Sequence, residues 1–198
     1  MGHYFINDDN IESNKKIINV RYDDKNIKVY SDNGVFSKEH FDYGSRILVD
    51  NFLRNVEKGK VLDLGCGYGI IGIILSLKNT FDVDMVDINK KAVSLTKENL
   101  ELNKIENANV FESDVYSNIG EKYDYIITNP PIRAGKEVIR KFLFGGKNYL
   151  TNDGELWFVM RKDHGVKSMI NELNNEYIVQ IMDRNKGFWV VKLKKIKK

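Results

Sequence analysis

Apolar positions in this chain switch between short continuous runs and helical spacing, and from Lys60 onward the switch is regular. Val61-Leu62, Phe81 to Ile88, Ala108 to Phe111, Tyr123 to Thr128 and Glu155 to Met160 read as strands. Ile70 to Leu77 and the stretch from Lys90 to Asn103 carry helical spacing between them. Strands separated by helices pair in parallel through right-handed crossovers, so the pattern predicts an open α/β sheet with helices on both faces.

The two ends depart from that alternation. Ile17 to Tyr22 and Ile27 to Tyr30 flank the polar group Asp23-Asp24-Lys25-Asn26, which predicts an N-terminal hairpin. A helix through Val49, Phe52, Leu53 and Val56 follows, with Ser45 placed to cap it. Near the other end, Tyr177 to Met182 and Phe188 to Leu193 are separated only by Asp183 to Gly187, too short for a crossover helix, so those strands must pair antiparallel. The expected organisation is one domain over residues 1–198, with a hairpin and lead-in over 1–44 and the sheet-and-helix core over 45–198.

A chain of 198 residues buries a substantial core without disulfides or a structural metal, and its single cysteine, Cys66, excludes an intrachain disulfide and any Cys-rich zinc site. With no basic and apolar leader and no apolar run near the roughly 18 residues of a membrane span, the expected location is cytoplasmic. The net charge of +3 gives only a weak global field for a nucleic-acid partner, and the tail Lys192, Lys194, Lys195, Lys197 and Lys198 reads as a solvated run.

Chemistry concentrates at two turns. Asp63-Leu64-Gly65-Cys66-Gly67-Tyr68-Gly69 follows the first core strand, where glycines allow a sharp turn and close approach of a ligand. Gly67-Tyr68-Gly69-Ile70-Ile71-Gly72 also matches the dinucleotide fingerprint of nicotinamide enzymes. Asp63 separates the two readings: a carboxylate there repels a pyrophosphate but suits the cationic amino group of a methionine moiety, which favours S-adenosylmethionine. Asp87 closes the next strand at the offset where an acid accepts from ribose hydroxyls, in either cofactor. The second turn, Asn129-Pro130-Pro131-Ile132, ends the run Tyr123 to Thr128.

The order and separation of these turns resemble class I S-adenosylmethionine-dependent methyltransferases, in particular the small-domain family that includes small-subunit (16S) ribosomal RNA guanine-N2 methyltransferases. The resemblance runs from His3-Tyr4-Phe5 through Gly34-Val35-Phe36-Ser37 and Asp42-Tyr43-Gly44-Ser45 to the last strand. It implies a Rossmann-like sheet, mostly parallel with an antiparallel C-terminal strand, and a cofactor held by Phe36, Asp63, Gly65, Cys66, Gly67, Asp87, Ile88, Asp114 and Val115. Asp114 takes the family's third acidic position, accepting from the adenine amino group, with Val115 near the ring.

The resemblance assigns catalysis to Asn129 and Pro130, and contact with the substrate to Pro131, Ile132 and Arg133, with no metal. An exocyclic amino group is a poor nucleophile because its lone pair is delocalised into the base. The Asn129 side-chain oxygen and the Pro130 carbonyl each accept one N–H in this reading, leaving the lone pair aimed at the sulfonium methyl. The prolines hold those carbonyls by fixing φ and restricting the preceding residue. Where the family commonly carries Phe or Tyr, this chain has Ile132, which offers no π face to a base.

The expected reaction is methylation of a guanine amino group in small-subunit ribosomal RNA, the base being single-stranded or flipped out. Arg133, Lys136, Arg140, Lys141, Arg161 and Lys162 are the expected phosphate contacts. Methylation of a transfer RNA guanine, an adenine or a glutamine side chain stays open, as do a non-catalytic cofactor- or RNA-binding module and, least favoured, a hydride-transfer enzyme.

Overall fold

The computed structural model describes residues 14–32 and 41–196. The N-terminal hairpin pairs β1 (Lys16–Tyr22) with β2 (Lys25–Ser31), antiparallel, around Asp23, which sits at φ 50 as turn aspartates tolerate. Strict alternation buries Ile18, Val20 and Tyr22 on one strand and Ile27 and Val29 on the other, giving the hairpin a single apolar face.

The main sheet has seven strands: β3 (Gly59–Leu64), β4 (Phe81–Asp87), β5 (Ala108–Glu112), β6 (Tyr123–Thr128), β7 (Leu150–Arg161), β8 (Tyr177–Asn185) and β9 (Phe188–Lys195). Their spatial order is β5-β4-β3-β6-β7-β9-β8; the first five are parallel, and β9 runs antiparallel to both β7 and β8. This is the class I methyltransferase topology. Strand order reverses between β3 and β6, so the carboxyl ends of those two neighbours form the crevice where such sheets bind ligands.

Neighbouring residues along each central strand enter opposite cores. Val61, Ile127, Trp157 and Val190 join the cluster under helices α1 (Tyr43–Asn55), α2 (Ile70–Ser76) and α3 (Lys90–Leu102). Leu62, Ile126, Leu156 and Val191 join the one under α4 (Lys136–Gly145) and α5 (Val166–Leu173). Burial on both faces is why these strands read as continuous apolar runs. Every residue of α2 is buried, because the apolar face of the hairpin joins the same core as a further layer. No helix among the described residues is long and apolar enough to cross a membrane.

Three elements differ from the sequence reading. The cap of α1 is Asp42 rather than Ser45: its Oδ1 accepts from the Ser45 N–H at 3.0 Å, and the Ser45 side chain is buried elsewhere. Strand β7 starts at Leu150, which pairs with Tyr123 before the ladder shifts register. Strands β8 and β9 extend until only Lys186 and Gly187 remain between them, at φ 46 and φ 82, the double positive-φ turn that matches strand twist.

Candidate active site

The glycine turn is fixed from two sides. The N–H groups of Gly65 and Cys66 both donate to the Val86 carbonyl at the end of β4, at 2.8 and 2.9 Å. From α3, the Thr96 hydroxyl donates to the Gly67 carbonyl and the Asn99 amide to the Tyr68 carbonyl, each at 2.9 Å. Both of these polar side chains are fully buried. Asn99 also exchanges two bonds with the Tyr30 backbone, which ties hairpin, helix and turn together. Gly65 and Gly69 take φ 75 and φ 87, and a Cβ at Gly72 would overlap the Met85 sulfur, so α2 packs on β4 only with glycine there.

Asp63, 1% exposed, accepts from the Gly72 N–H at 2.9 Å. Burial pushes its carboxyl up to about 7 against the opposing effect of that N–H. The N-terminal turn of α2, which a dinucleotide fold would offer to a pyrophosphate, thus already faces an internal acid. Asp87 is also buried: its Oδ2 accepts from the Gly67 N–H and its Oδ1 from the Asn89 N–H, both at 2.9 Å. Cys66 is buried, and burial pushes its thiol up, as expected of a small packing residue.

Ile88 is half-buried at the end of β4, and Asp114 is exposed beyond β5. Val115 takes φ 53, a costly conformation for a β-branched residue. The Ser113 hydroxyl enforces it, donating to the Val115 carbonyl at 2.9 Å and accepting from the Asn118 N–H at 3.1 Å. Phe36 lies outside the described residues.

On the other side of the crevice, the Thr128 hydroxyl donates to the Leu64 carbonyl at 2.7 Å, joining the last residue of β6 to the residue before Gly65. Asn129 comes next. Its Nδ2 donates to Ser45 Oγ at 2.9 Å and to Asp42 Oδ1 at 3.4 Å. A carboxylate only accepts, so this pairing fixes which end of the amide is nitrogen. Among the described residues nothing donates to Asn129 Oδ1 or to the Pro130 carbonyl, whereas the Pro131 carbonyl accepts from the Ala134 N–H at 3.0 Å. Ile132 opens a short 3-10 turn and packs on the α4 and α5 core, and Arg133 is exposed.

The structure therefore brings Asp63, Gly65, Cys66, Gly67, Asp87 and Ile88 to the ends of two adjacent strands, with Asn129 and Pro130 on the neighbouring strand end. It also engages half of the expected phosphate contacts: Lys136 and Arg140 pair with Glu172, and Arg161 pairs with Asp163. The sequence reading missed Thr96, Asn99 and Thr128, although polar residues on the buried face of a helix, as Thr96 and Asn99 are, or at the end of an apolar strand, as Thr128 is, are a detectable sign of backbone they must satisfy.

Comparison with known proteins agrees with this geometry. The methyltransferase small domain family model matches residues 26–192. The uncharacterized protein YbxB of Bacillus subtilis (strain 168) is 40% identical over 200 residues, spanning 98% of each chain. Ribosomal RNA small subunit methyltransferase C of Aliivibrio fischeri (strain ATCC 700601 / ES114) is 39% identical over 145 residues, which are 71% of this chain and 42% of the relative, so this chain spans under half of that protein. Among solved structures, the T. thermophilus 16S rRNA N2 methyltransferase RsmC, in complex with AdoMet and guanosine, superposes with TM-score 0.82 over 92% of this chain and 51% of that one, at 23% identity. The sheet order, the paired turns and the family match over most of its length establish that the chain belongs to the methyltransferase small domain family.

Proposed function

We propose that this chain transfers a methyl group from S-adenosylmethionine to the exocyclic amino group of a guanine in small-subunit ribosomal RNA. One observation carries the reading: Asn129 is anchored through its amide nitrogen, which leaves its oxygen and the Pro130 carbonyl beside the glycine turn as two acceptors that nothing among the described residues claims. Two N–H groups of an amine need two such acceptors, and a nitrogen so held keeps its lone pair free for the third direction.

The residues present fit the cofactor. Gly65, Cys66 and Gly67 supply a wall without long side chains, and Asp87, bonded to the Gly67 N–H, places a carboxylate at that wall for the ribose hydroxyls. Half-buried Ile88 and Val115 offer apolar contact to a purine ring, with exposed Asp114 beside Val115 as acceptor for its amino group. Asp63, ionising near neutrality, attracts the methionine ammonium, through water given its burial. The cofactor supplies an electrophilic methyl on a sulfonium. The chain aligns the nucleophile with it, an effect worth up to effective molarities of about 10⁵ M or more in general. Pro131, Ile132 and Arg133 line the approach of the base, and the relatives named as small-subunit RNA methyltransferases support the choice of substrate.

The test is transfer of labelled methyl from S-adenosylmethionine to unmodified small-subunit RNA, free and in assembled particles, beside transfer RNA, DNA and release-factor protein. Digestion is expected to yield labelled N2-methylguanosine from small-subunit RNA. Label confined to protein, DNA or adenine overturns the substrate assignment.

A further inference from the structure

We infer that the turn between β8 and β9 forms a second nucleotide subsite, gripping the RNA strand that flanks the target base; this rests on the RNA reading above. A cleft of about 590 Å³ lies there, lined by Lys162, Lys167, Arg184, Asn185, Phe188 and Trp189 among others. The cleft is open to solvent rather than enclosed, a shape that suits an extended strand and not a buried small ligand.

Charge in the cleft is uncompensated. Among the described residues, Lys162, Lys167, Arg184 and the neighbouring Lys186 form no ion pair, in contrast to Lys136, Arg140 and Arg161. All four are exposed. They are interleaved with aromatic planes: the Arg184 guanidinium lies 4.2 Å from the Trp189 ring centre, and the Lys186 ammonium 4.8 Å from that of Tyr43. Unpaired cations track a phosphate backbone while rings and guanidinium planes stack bases, a combination that suits single-stranded nucleic acid better than an acidic peptide.

Position makes the cleft part of the same site. Because β9 is antiparallel to β7, its first residue, Phe188, pairs with Arg161 at the carboxyl edge that also carries Asn129. The Phe188 ring occupies the place where a side chain at Gly44 would begin, and lies 5.8 Å from the Tyr43 ring. Gly44 sits between Asp42 and Ser45, the two residues that hold Asn129. A strand lying along the outer face of the stacked Arg184 and Trp189 therefore passes Phe188 on its way to the reacting base, and Phe188 is the ring placed to stand in for the aromatic that Ile132 does not supply.

The experiment compares the parent with the triple variant Lys162→Gln, Lys167→Gln, Arg184→Gln, all at exposed positions. Anisotropy of a dye-labelled single-stranded fragment of small-subunit RNA is followed between 50 and 200 mM salt, with calorimetry of S-adenosylhomocysteine as control. Loss of three phosphate contacts predicts a salt slope about 2 units shallower and at least a tenfold loss of RNA affinity, with cofactor affinity held. If the triple change weakens the cofactor, Lys167→Gln alone must still flatten the slope by about 0.7. Equal affinity and slope in parent and variant overturn the subsite, as would be seen if the cleft serves a protein. A parent that methylates guanine, beside a variant whose RNA affinity and salt slope are unchanged, refutes the subsite alone; RNA binding through the cleft without methylguanosine refutes only the catalytic reading.

Discussion

Replacing Ser45 with alanine removes one oxygen, and that oxygen holds the Asn129 amide at 2.9 Å. The remaining contact, to Asp42 Oδ1 at 3.4 Å, is long, and that oxygen already accepts the Ser45 N–H as helix cap. A net hydrogen bond is worth about 0.5 to 1.5 kcal/mol, so a freed amide is expected to slow methyl transfer roughly 2- to 13-fold. Asn129→Ala removes the acceptor itself, and loss of one such group costs about 10²- to 10³-fold. Because Ser45 acts through Asn129, the two changes must not multiply: Ser45→Ala in the Asn129→Ala background is expected to have no further effect. Single-turnover rates at saturating cofactor and RNA for the four proteins of this cycle read the coupling, with S-adenosylhomocysteine affinity held within twofold. Independent, multiplying effects, or an undiminished rate in Ser45→Ala, would refute the anchoring argument.

Three further outcomes follow from the buried Asp63 and the helix clamp. With its folded pKa near 7 against about 3.9 in the unfolded chain, Asp63 contributes stability that is complete below pH 4 and lost as pH climbs through 7. Urea unfolding is therefore expected to show a smaller loss between pH 5 and 8.5 in Asp63→Asn than in the parent. Cofactor affinity runs the opposite way, rising through pH 7 in the parent as the carboxylate forms and staying flat in the variant, read by calorimetry. Thr96→Val keeps the shape of the side chain but strands the buried Gly67 carbonyl, so it is expected to cost about 1 to 3 kcal/mol in unfolding and to weaken S-adenosylhomocysteine binding.

The frame of the molecule was legible wherever local chemistry and burial agree. Tyr123 to Thr128 ends where the sequence indicates because Asn129 is followed by two residues without N–H groups, which stop the ladder. The turn motifs likewise stand out, since Gly65 and Gly69 need positive φ and Asp87 must end its strand to reach the turn. What escaped depends on distant partners. Asp42 and Ser45 are both ordinary cap residues, and only the arrival of Asn129, 84 positions after Ser45, decides that the hydroxyl faces the site and the carboxylate caps. Strand β8 runs through Asp183 and Arg184, residues that read as loop, because β9 offers a partner and Lys186-Gly187 closes the turn. Leu150 joins β7 across the polar segment Thr151 to Gly154, which hides the start of the strand in a composition typical of loops.

The central claim is that Asn129 works on the nucleophile and not on the cofactor. The direct measurement is the single-turnover rate of Asn129→Ala on small-subunit RNA beside its calorimetric affinity for S-adenosylhomocysteine. A rate lower by about 100-fold or more with affinity preserved is the predicted result. An unchanged rate, or rate and affinity falling together, would contradict it.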